Sequence, residues 1–414
     1  MITRLSLENF RCIPRAELDL GRITVLTGPN STGKSSVLYG LLALRNVVLD
    51  SNQELDAFFN LGFLNLGGFS ENVHLKDTNS NIGLGIDVAT ETVRCGYAAS
   101  LGSKASVLRL ESSKPFNVNL KLKVTFPYPA NSTATSEVKG DFGTANIRWN
   151  GIIPSITIVS PGLPRSGEGG HPASYEDRVR VMDELSRTLT APVEELRVTD
   201  FIAVKRGFTK PFYSTVPVLP QLQTEHELAT IIAMDRDLEG KVAHYLERIV
   251  NRSFAARAMV GLGSFHLQTR DPSTGFVSDL VNEGFGTNQL VTILTKCLRK
   301  DARTICIEEP EIHLNPDLID RLLRVLIEIA EKEDKAFLIT SHSEHVVVSL
   351  LNAVARRRLS ADDLAMYYLS KEGNAAKIER QEVNDKGQIE GGLKAFYETE
   401  LRETKEFFDI VAEQ

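Results

Sequence analysis

Gly28-Pro29-Asn30-Ser31-Thr32-Gly33-Lys34-Ser35-Ser36 decides how this chain is read. Gly28 to Ser35 satisfies the pattern GxxxxGKS/T, and its flanks supply the setting that the pattern requires. Residues 16–26 (AELDLGRITVL) alternate and are rich in β-branched side chains, which predicts a strand running straight into the loop. From Ser35 to Leu49 the spacing turns helical, with Val37, Leu38, Leu41, Leu42 and Leu44 on the apolar side. In such a strand, glycine loop and helix, backbone N–H groups wrap phosphates and the helix N-terminus adds a favourable dipole. Lys34 reaches the β and γ phosphates and the Ser35 hydroxyl can ligate Mg²⁺. The competing reading is a glycine turn that only caps a helix.

Far along the chain, Thr304-Ile305-Cys306-Ile307-Glu308-Glu309-Pro310 reads as an apolar strand ending in two carboxylates. A parallel strand beside the loop puts Glu308 near Mg²⁺ and its water shell, and Glu309 near a water attacking the γ-phosphate. Two adjacent acids alone also fit a solvated turn; the phosphate loop gives the pair its weight. Around them the texture alternates: strand 265–269, helix 288–300, strand Thr304–Ile307, helix 316–332, strand Ala336–Thr340, helix 344–358. That alternation predicts an α/β fold with parallel pairing.

Between the two regions the pattern changes. Residues 82–160 are short apolar segments divided by Ser, Asn, Gly and Pro, predicting an antiparallel sheet. Pro161–Ser174 is loop-like, and helical spacing follows at 175–190 and 224–254. After the last α/β helix, Ala365–Glu390 reads as a strand pair with a Gly turn, followed by a helix at 393–412. The expected division is 1–160 for the phosphate-loop part with an antiparallel β lobe, 161–262 for an inserted, mostly helical region, and 263–414 for the rest of the first domain.

Composition narrows the options. At 414 residues the chain exceeds the ~250–300 at which single cores stop growing, so two units are expected. Lys+Arg number 47 against 54 Asp+Glu, a net of −7, which excludes a basic coat made for nucleic acid. Cys12, Cys95, Cys297 and Cys306 are far apart, with neither a zinc nor a disulfide pattern, which fits reduced thiols in the cytoplasm. No stretch reaches the ~18 apolar residues of a membrane span.

GPNSTGKSS, then EEPEIHLNP after a strand, then ITSHSEH after the next strand resemble the ABC-type P-loop ATPases of the SMC/RecF/OLD branch, prokaryotic AAA-family ATPases included. The motifs cover residues 1–75 and 265–350. The resemblance implies an ATPase head with a mixed central sheet, an antiparallel β subdomain and an inserted α-rich region. It implies that Gly28, Asn30, Ser31, Thr32, Gly33, Lys34, Ser35 and Ser36 hold ATP, that Ser35 and Glu308 serve Mg²⁺, and that Glu309 is the base. His342 falls where the branch has a γ-phosphate-sensing histidine, with His345 beside it, and Asn315 where it has the D-loop. Gly284, Gly286, Thr287 and Asn288 fall at the signature segment, which completes the site of a second molecule; Gly284 replaces its usual serine. Phe10-Arg11 is similar to the branch's NFR entry, whereas Asn65–Asn72 shows no Q-loop glutamine.

The expectation is a cytoplasmic ATPase that dimerises or oligomerises around ATP and switches a separate effector protein, in anti-phage defence or in DNA transactions such as repair. No DxD follows His345 and Asp362-Asp363 reads as a turn, so no TOPRIM nuclease is expected within this sequence. Two alternatives stay open: an ATP-dependent scaffold with negligible turnover, and the ATPase subunit of a transporter. Contact with DNA or RNA also stays open, through Lys205-Arg206 with Lys210 or through Arg356-Arg357-Arg358, although each fits a solvated face better, and the Arg run a favourable helix C-terminus.

Overall fold

Residues 16–26, expected as one strand, contribute to two strands in different sheets, Ile13–Asp19 and Ile23–Thr27. Gly21 lies between them, and a Cβ there would stand 2.5 Å from the Asp363 carbonyl oxygen, so a glycine lets the backbones approach. The structure is a computed structural model that describes residues 1–129, 131–140, 143–160, 175–218, 224–259 and 263–390. The expected loop 161–174 and the expected helix 393–412 lie outside the described residues.

The chain divides into two compact units. The first comprises Met1–Leu20, Thr32–Thr199 and Lys371–Lys377. Its six-stranded antiparallel sheet has the order Ile13–Asp19, Ile2–Phe10, Ile82–Ala89, Arg94–Leu101, Ser106–Lys114, Val118–Val124. Alternation sets its faces: Val118, Leu120, Leu122 and Val124 are buried while Asn119, Lys121 and Lys123 face out. The helix Lys34–Leu49 packs on this sheet, and at Gly40 it comes so close that a Cβ would meet a Leu7 methyl at 2.4 Å. A three-stranded antiparallel sheet, Thr133–Gly140, Gly143–Asn150 and Ile153–Ser160, buries Trp149, whose Nε1 donates to Ser136 Oγ at 3.1 Å. The helix Tyr175–Arg197 also belongs to this unit.

The second unit comprises Gly21–Ser31, Asp200–Ser370 and Ile378–Gln414. Its sheet has the order Thr199–Ile202, Thr304–Glu308, Ala336–Thr340, Ile23–Thr27, Leu364–Glu372, Ala375–Gln381. The strands from Thr304 to Leu364 pair in parallel, and the last two, joined by two residues, form an antiparallel hairpin, so the sheet is mixed. Every residue of Ile23–Thr27, Thr304–Glu308 and Ala336–Thr340 is buried, as parallel strands covered on both faces require. Helices Phe285–Leu298, Pro316–Lys332 and Glu344–Ala355 share this core, where each fully buried Leu, Ile or Phe contributes about 1.5–3 kcal/mol.

The single helix expected over 224–254 is two, Glu225–Met234 and Arg236–Val250. Asp235 separates them, its carboxylate accepting the N–H groups of Asp237 and Leu238 at 3.0 and 3.1 Å as the cap of the second. The helix expected to reach 358 ends at Ala355, because Arg357 takes φ 56. Asp362 and Asp363 lie in a short turn capped by Ser360. Asp200 is fully buried; burial pushes its carboxyl up, but Lys296 Nζ at 2.9 Å and Arg299 at 3.1 Å outweigh this and hold it below the ordinary carboxylate range. No helix among the described residues is long and apolar enough to cross a membrane.

Candidate functional site

In the second unit three strand ends align. Glu308 is in register with Thr340, and Thr340 with Leu26. Just past these pairs the Glu309 N–H donates to the Thr340 carbonyl at 2.9 Å and the Ser341 N–H to the Leu26 carbonyl at 3.0 Å. The loop begins here: Gly28 has φ +134 and a Cβ would fall 2.1 Å from the Leu369 carbonyl oxygen, so this position demands glycine. Asn30 and Ser31 are exposed, Ser31 with φ 64. In the first unit the loop ends at Gly33, φ 101, the N-terminal cap of the helix Lys34–Leu49. Thr32, Lys34 and Ser36 are buried and Ser35 is half-buried.

The two acids differ in setting. Glu308 is 4% exposed at the strand end. Glu309 turns out of the sheet with φ 44, a left-handed conformation that costs a non-glycine residue about 1–3 kcal/mol. Its Oε1 lies 3.4 Å from Nδ1 of the half-exposed His342. Buried Glu311 holds the histidine's loop, because its Oε1 accepts from Ser341 Oγ at 2.6 Å and from the His342 N–H at 3.2 Å. Ser341 Oγ in turn accepts the Ser343 N–H at 3.0 Å. A carboxylate beside an imidazole at a strand end can take a proton from water.

Arg206 is not the surface cation expected of a basic cluster. Its guanidinium is buried and donates to the carbonyls of Ala203, Glu308 and Glu309. The preceding strand, Thr199–Ile202, lies at the edge of the sheet beside Thr304–Glu308, which brings Arg206 under the acids. Lys210 Nζ lies 2.9 Å from His226 Nε2. Arg356, Arg357 and Arg358 are exposed at a helix end.

Gly284 caps the helix Phe285–Leu298, and a Cβ on it would meet nothing within 4 Å. Gly286 is tight: its Cβ would be 2.9 Å from the His313 carbonyl oxygen. Thr287 is half-buried, and Asn288 is buried with its amide spent inside the chain, accepting the Phe208 N–H at 2.7 Å and donating to the carbonyls of Phe208 and Leu280 at 2.8 and 3.3 Å. Asn315 caps the helix Pro316–Lys332, accepting the Leu318 N–H at 3.0 Å. His345 is exposed. In the first unit Arg11 has φ 56, its N–H donates to the Asn72 carbonyl at 2.6 Å, and its guanidinium lies over the Tyr39 ring.

Residues 1–130 match the family model described as "AAA ATPase domain", and residues 193–349 match that described as "AAA domain, putative AbiEii toxin, Type IV TA system". The chain carries AAA-family ATPase domains. No curated protein matches it. Matching solved structures include the SMC head domain from Thermotoga maritima, 11% identical with TM-score 0.42, covering 92% of this chain and 99% of that one. Another is an SMC head bound to the C-terminal winged-helix domain of ScpA, 10% identical with TM-score 0.48, covering 92% of this chain and 98% of that one. A third is an SMC head with an extended coiled coil bound to the C-terminal domain of ScpA, from Pyrococcus furiosus, 8% identical with TM-score 0.42, covering 92% and 96%.

The donor chemistry of these residues suits ATP with Mg²⁺. Mg²⁺ keeps several waters and takes one or two protein oxygens besides the phosphates. A Ser35 hydroxyl and a Glu308 carboxylate are hard oxygen donors of that kind, and among the described residues no group of three His, Cys, Asp or Glu forms a separate metal cage. Glu311 has no role in the sequence reading, and Arg206 has one only as part of a basic cluster. Glu311 had a faint signal as the last acid of EEPE; the hold of Arg206 on the acid pair had none, since Glu308 and Glu309 lie 102 and 103 residues away.

Proposed function

We propose that this protein binds ATP with Mg²⁺ on Gly28–Ser36, hydrolyses it with Glu309 as base and His342 at the γ-phosphate, and works in the cytoplasm as an oligomeric switch for a separate effector. Lys34 neutralises phosphate charge and Glu308 orients the metal's water shell. In this reading the ATPase head is carried by residues 1–160 and 263–414, and the region 161–262 between them adds the edge strand Thr199–Ile202 to its sheet. The observation that supports this reading best is the Glu309–His342 pair, 3.4 Å apart, at the strand edge where the phosphate loop starts. A toxin–antitoxin setting in the description of one family model favours prokaryotic defence over general DNA metabolism. The start of the signature segment, exposed or half-buried from Gly284 to Thr287, closes the site of a second copy in trans, with Asn288 buried behind it, and Asn315 adjoins it.

The test is phosphate release by the wild type, Lys34→Ala and Glu309→Gln, together with solution mass with and without ATP. Undiminished turnover in either variant sinks the site assignment, and an unchanged mass sinks the ATP-driven assembly. One observation favours a second reading, a scaffold held together by ATP with negligible turnover: Gly284 offers no hydroxyl at the exposed start of its helix. Sustained multiple turnover excludes that reading.

A further inference from the structure

The Arg206 guanidinium grips both peptide groups that flank the Glu309 Cα. One terminal nitrogen donates to the Glu308 carbonyl at 2.7 Å and to the Ala203 carbonyl at 3.0 Å; the other donates to the Glu309 carbonyl at 2.7 Å. The Glu308 carbonyl belongs to the peptide before Glu309 and the Glu309 carbonyl to the peptide after it. Fixing both planes fixes φ and ψ, and therefore the direction in which the side chain leaves the backbone. The setting held in this way is the uncommon φ of 44. Burial lowers the Arg206 pKa to about 10, opposed by Glu311, Glu308 and Glu309, so the group is charged at neutral pH.

The other end of the same short segment is clamped as firmly. The Phe208 N–H donates to Asn288 Oδ1 at 2.7 Å, and its carbonyl accepts from Asn288 Nδ2 at 2.8 Å. Between the two grips Gly207 takes φ +128, and a Cβ there would press on Asn288 Oδ1 at 3.1 Å. Hydrogen bonds therefore run from the helix start at Gly284–Asn288, through Phe208 and Arg206, to the backbone of the acid pair.

We propose that Arg206 is a positioning residue that aims the Glu309 carboxylate at the His342 side of the site, and that Asn288 couples this aim to the signature-like helix start. The proposal rests on the reading of Glu309 as the base. Lysine is no substitute, because one ammonium cannot hold two carbonyls in a planar fork.

The experiment measures ATP turnover, affinity for a fluorescent ATP analogue and thermal melting on the full chain for Arg206→Lys, Arg206→Ala, Asn288→Ala and the Arg206→Lys/Asn288→Ala double variant. Arg206→Lys is expected to lose about tenfold or more in kcat with nucleotide affinity retained, since small misplacements of a reacting group cost up to about a hundredfold. Arg206→Ala loses more and regains part of its kcat in millimolar guanidinium ion, a rescue that a purely structural role would not give. The double variant loses less than the product of the two single losses. Wild-type kcat in folded Arg206→Lys overturns the positioning role. So does a parallel fall of kcat, affinity and melting temperature without guanidinium rescue, and multiplicative losses overturn the coupling. A fully active Glu309→Gln instead marks failure of the base reading, whereas an inactive Glu309→Gln beside a fully active Arg206→Lys marks failure of this proposal alone.

Discussion

Nδ1 of His342 lies 3.4 Å from Oε1 of Glu309, past the ends of adjacent parallel strands. In the proposed reaction a water sits against this pair, giving its proton to the carboxylate while the imidazole faces the phosphate. Glu309→Gln removes the base but keeps the shape, so kcat is expected to fall by about 10²–10⁴ while ATP affinity holds. His342→Ala removes a polar partner of the transferring group and lowers kcat by about 10². Single-turnover phosphate release after ATP loading separates both from a binding defect.

Glu311 acts on the same loop from below. Glu311→Ala strips the acceptor from the Ser341 hydroxyl and from the His342 N–H in a buried setting, a loss of about 1–3 kcal/mol in urea unfolding. Glu311→Gln keeps one oxygen for Ser341 and loses less. An alanine variant as stable as the wild type would show that this carboxylate does not hold the histidine's loop.

What was legible in the sequence was local. The phosphate loop, the strands Thr304–Glu308 and Ala336–Thr340 and the helix from Pro316 announce themselves through neighbouring residues whose spacing is the structure's own period. The break at Gly21 was hidden because its cause, the Asp363 backbone, is distant in the chain. Arg206 looked like a solvated cation because the carbonyls that bury it belong to another strand. Asp235 is the exception: an Asp beside a charged turn is a local cap signal, but apolar residues on either side continue the helical count.

Asn315 shows how one residue serves a local need whatever else it does. It precedes Pro316 at the first helical turn and accepts the Leu318 N–H. Asn315→Ala is expected to cost about 1 kcal/mol, and Asn315→Asp to keep the cap. Thermal unfolding of the two variants checks this. Equal melting temperatures for the two would mean the cap contributes nothing.

Glu328 gives the second unit an acid-sensitive tie between helices Arg236–Val250 and Pro316–Lys332. The hydrogen bond from Arg248 at 2.7 Å, with a second from Lys332 at 2.8 Å, brings its carboxyl down from 4.5 to about 2 despite partial burial. The folded value is the lower one, so the folded state binds fewer protons and the stabilisation is present above pH 4.5 and lost as pH falls toward 2. Solvent screening at this surface leaves about 1 kcal/mol. Glu328→Gln should therefore unfold more easily than the wild type at pH 7, with the gap narrowing as pH falls from 4.5 toward 2; a gap that stays constant over that range refutes the assignment.

Gly284 and Gly286 stand two residues apart and should respond oppositely. A side chain at Gly286 would run into the His313 carbonyl at 2.9 Å and Leu314 Cδ2 at 3.1 Å, so Gly286→Ala is expected to loosen the helix start from that loop and lower the melting temperature. At Gly284 the backbone has φ −57 and ψ 145, and nothing lies within 4 Å of a Cβ. Gly284→Ser therefore fits, and serine at a helix cap is worth a few tenths of a kcal/mol over glycine. If this segment reaches the γ-phosphate of a second copy, the new hydroxyl adds a donor there and raises turnover at protein concentrations where the ATP-bound oligomer forms, with little change at high dilution. Turnover that stays at the wild-type level across that concentration range, in a variant at least as stable, removes Gly284 from the nucleotide's surroundings.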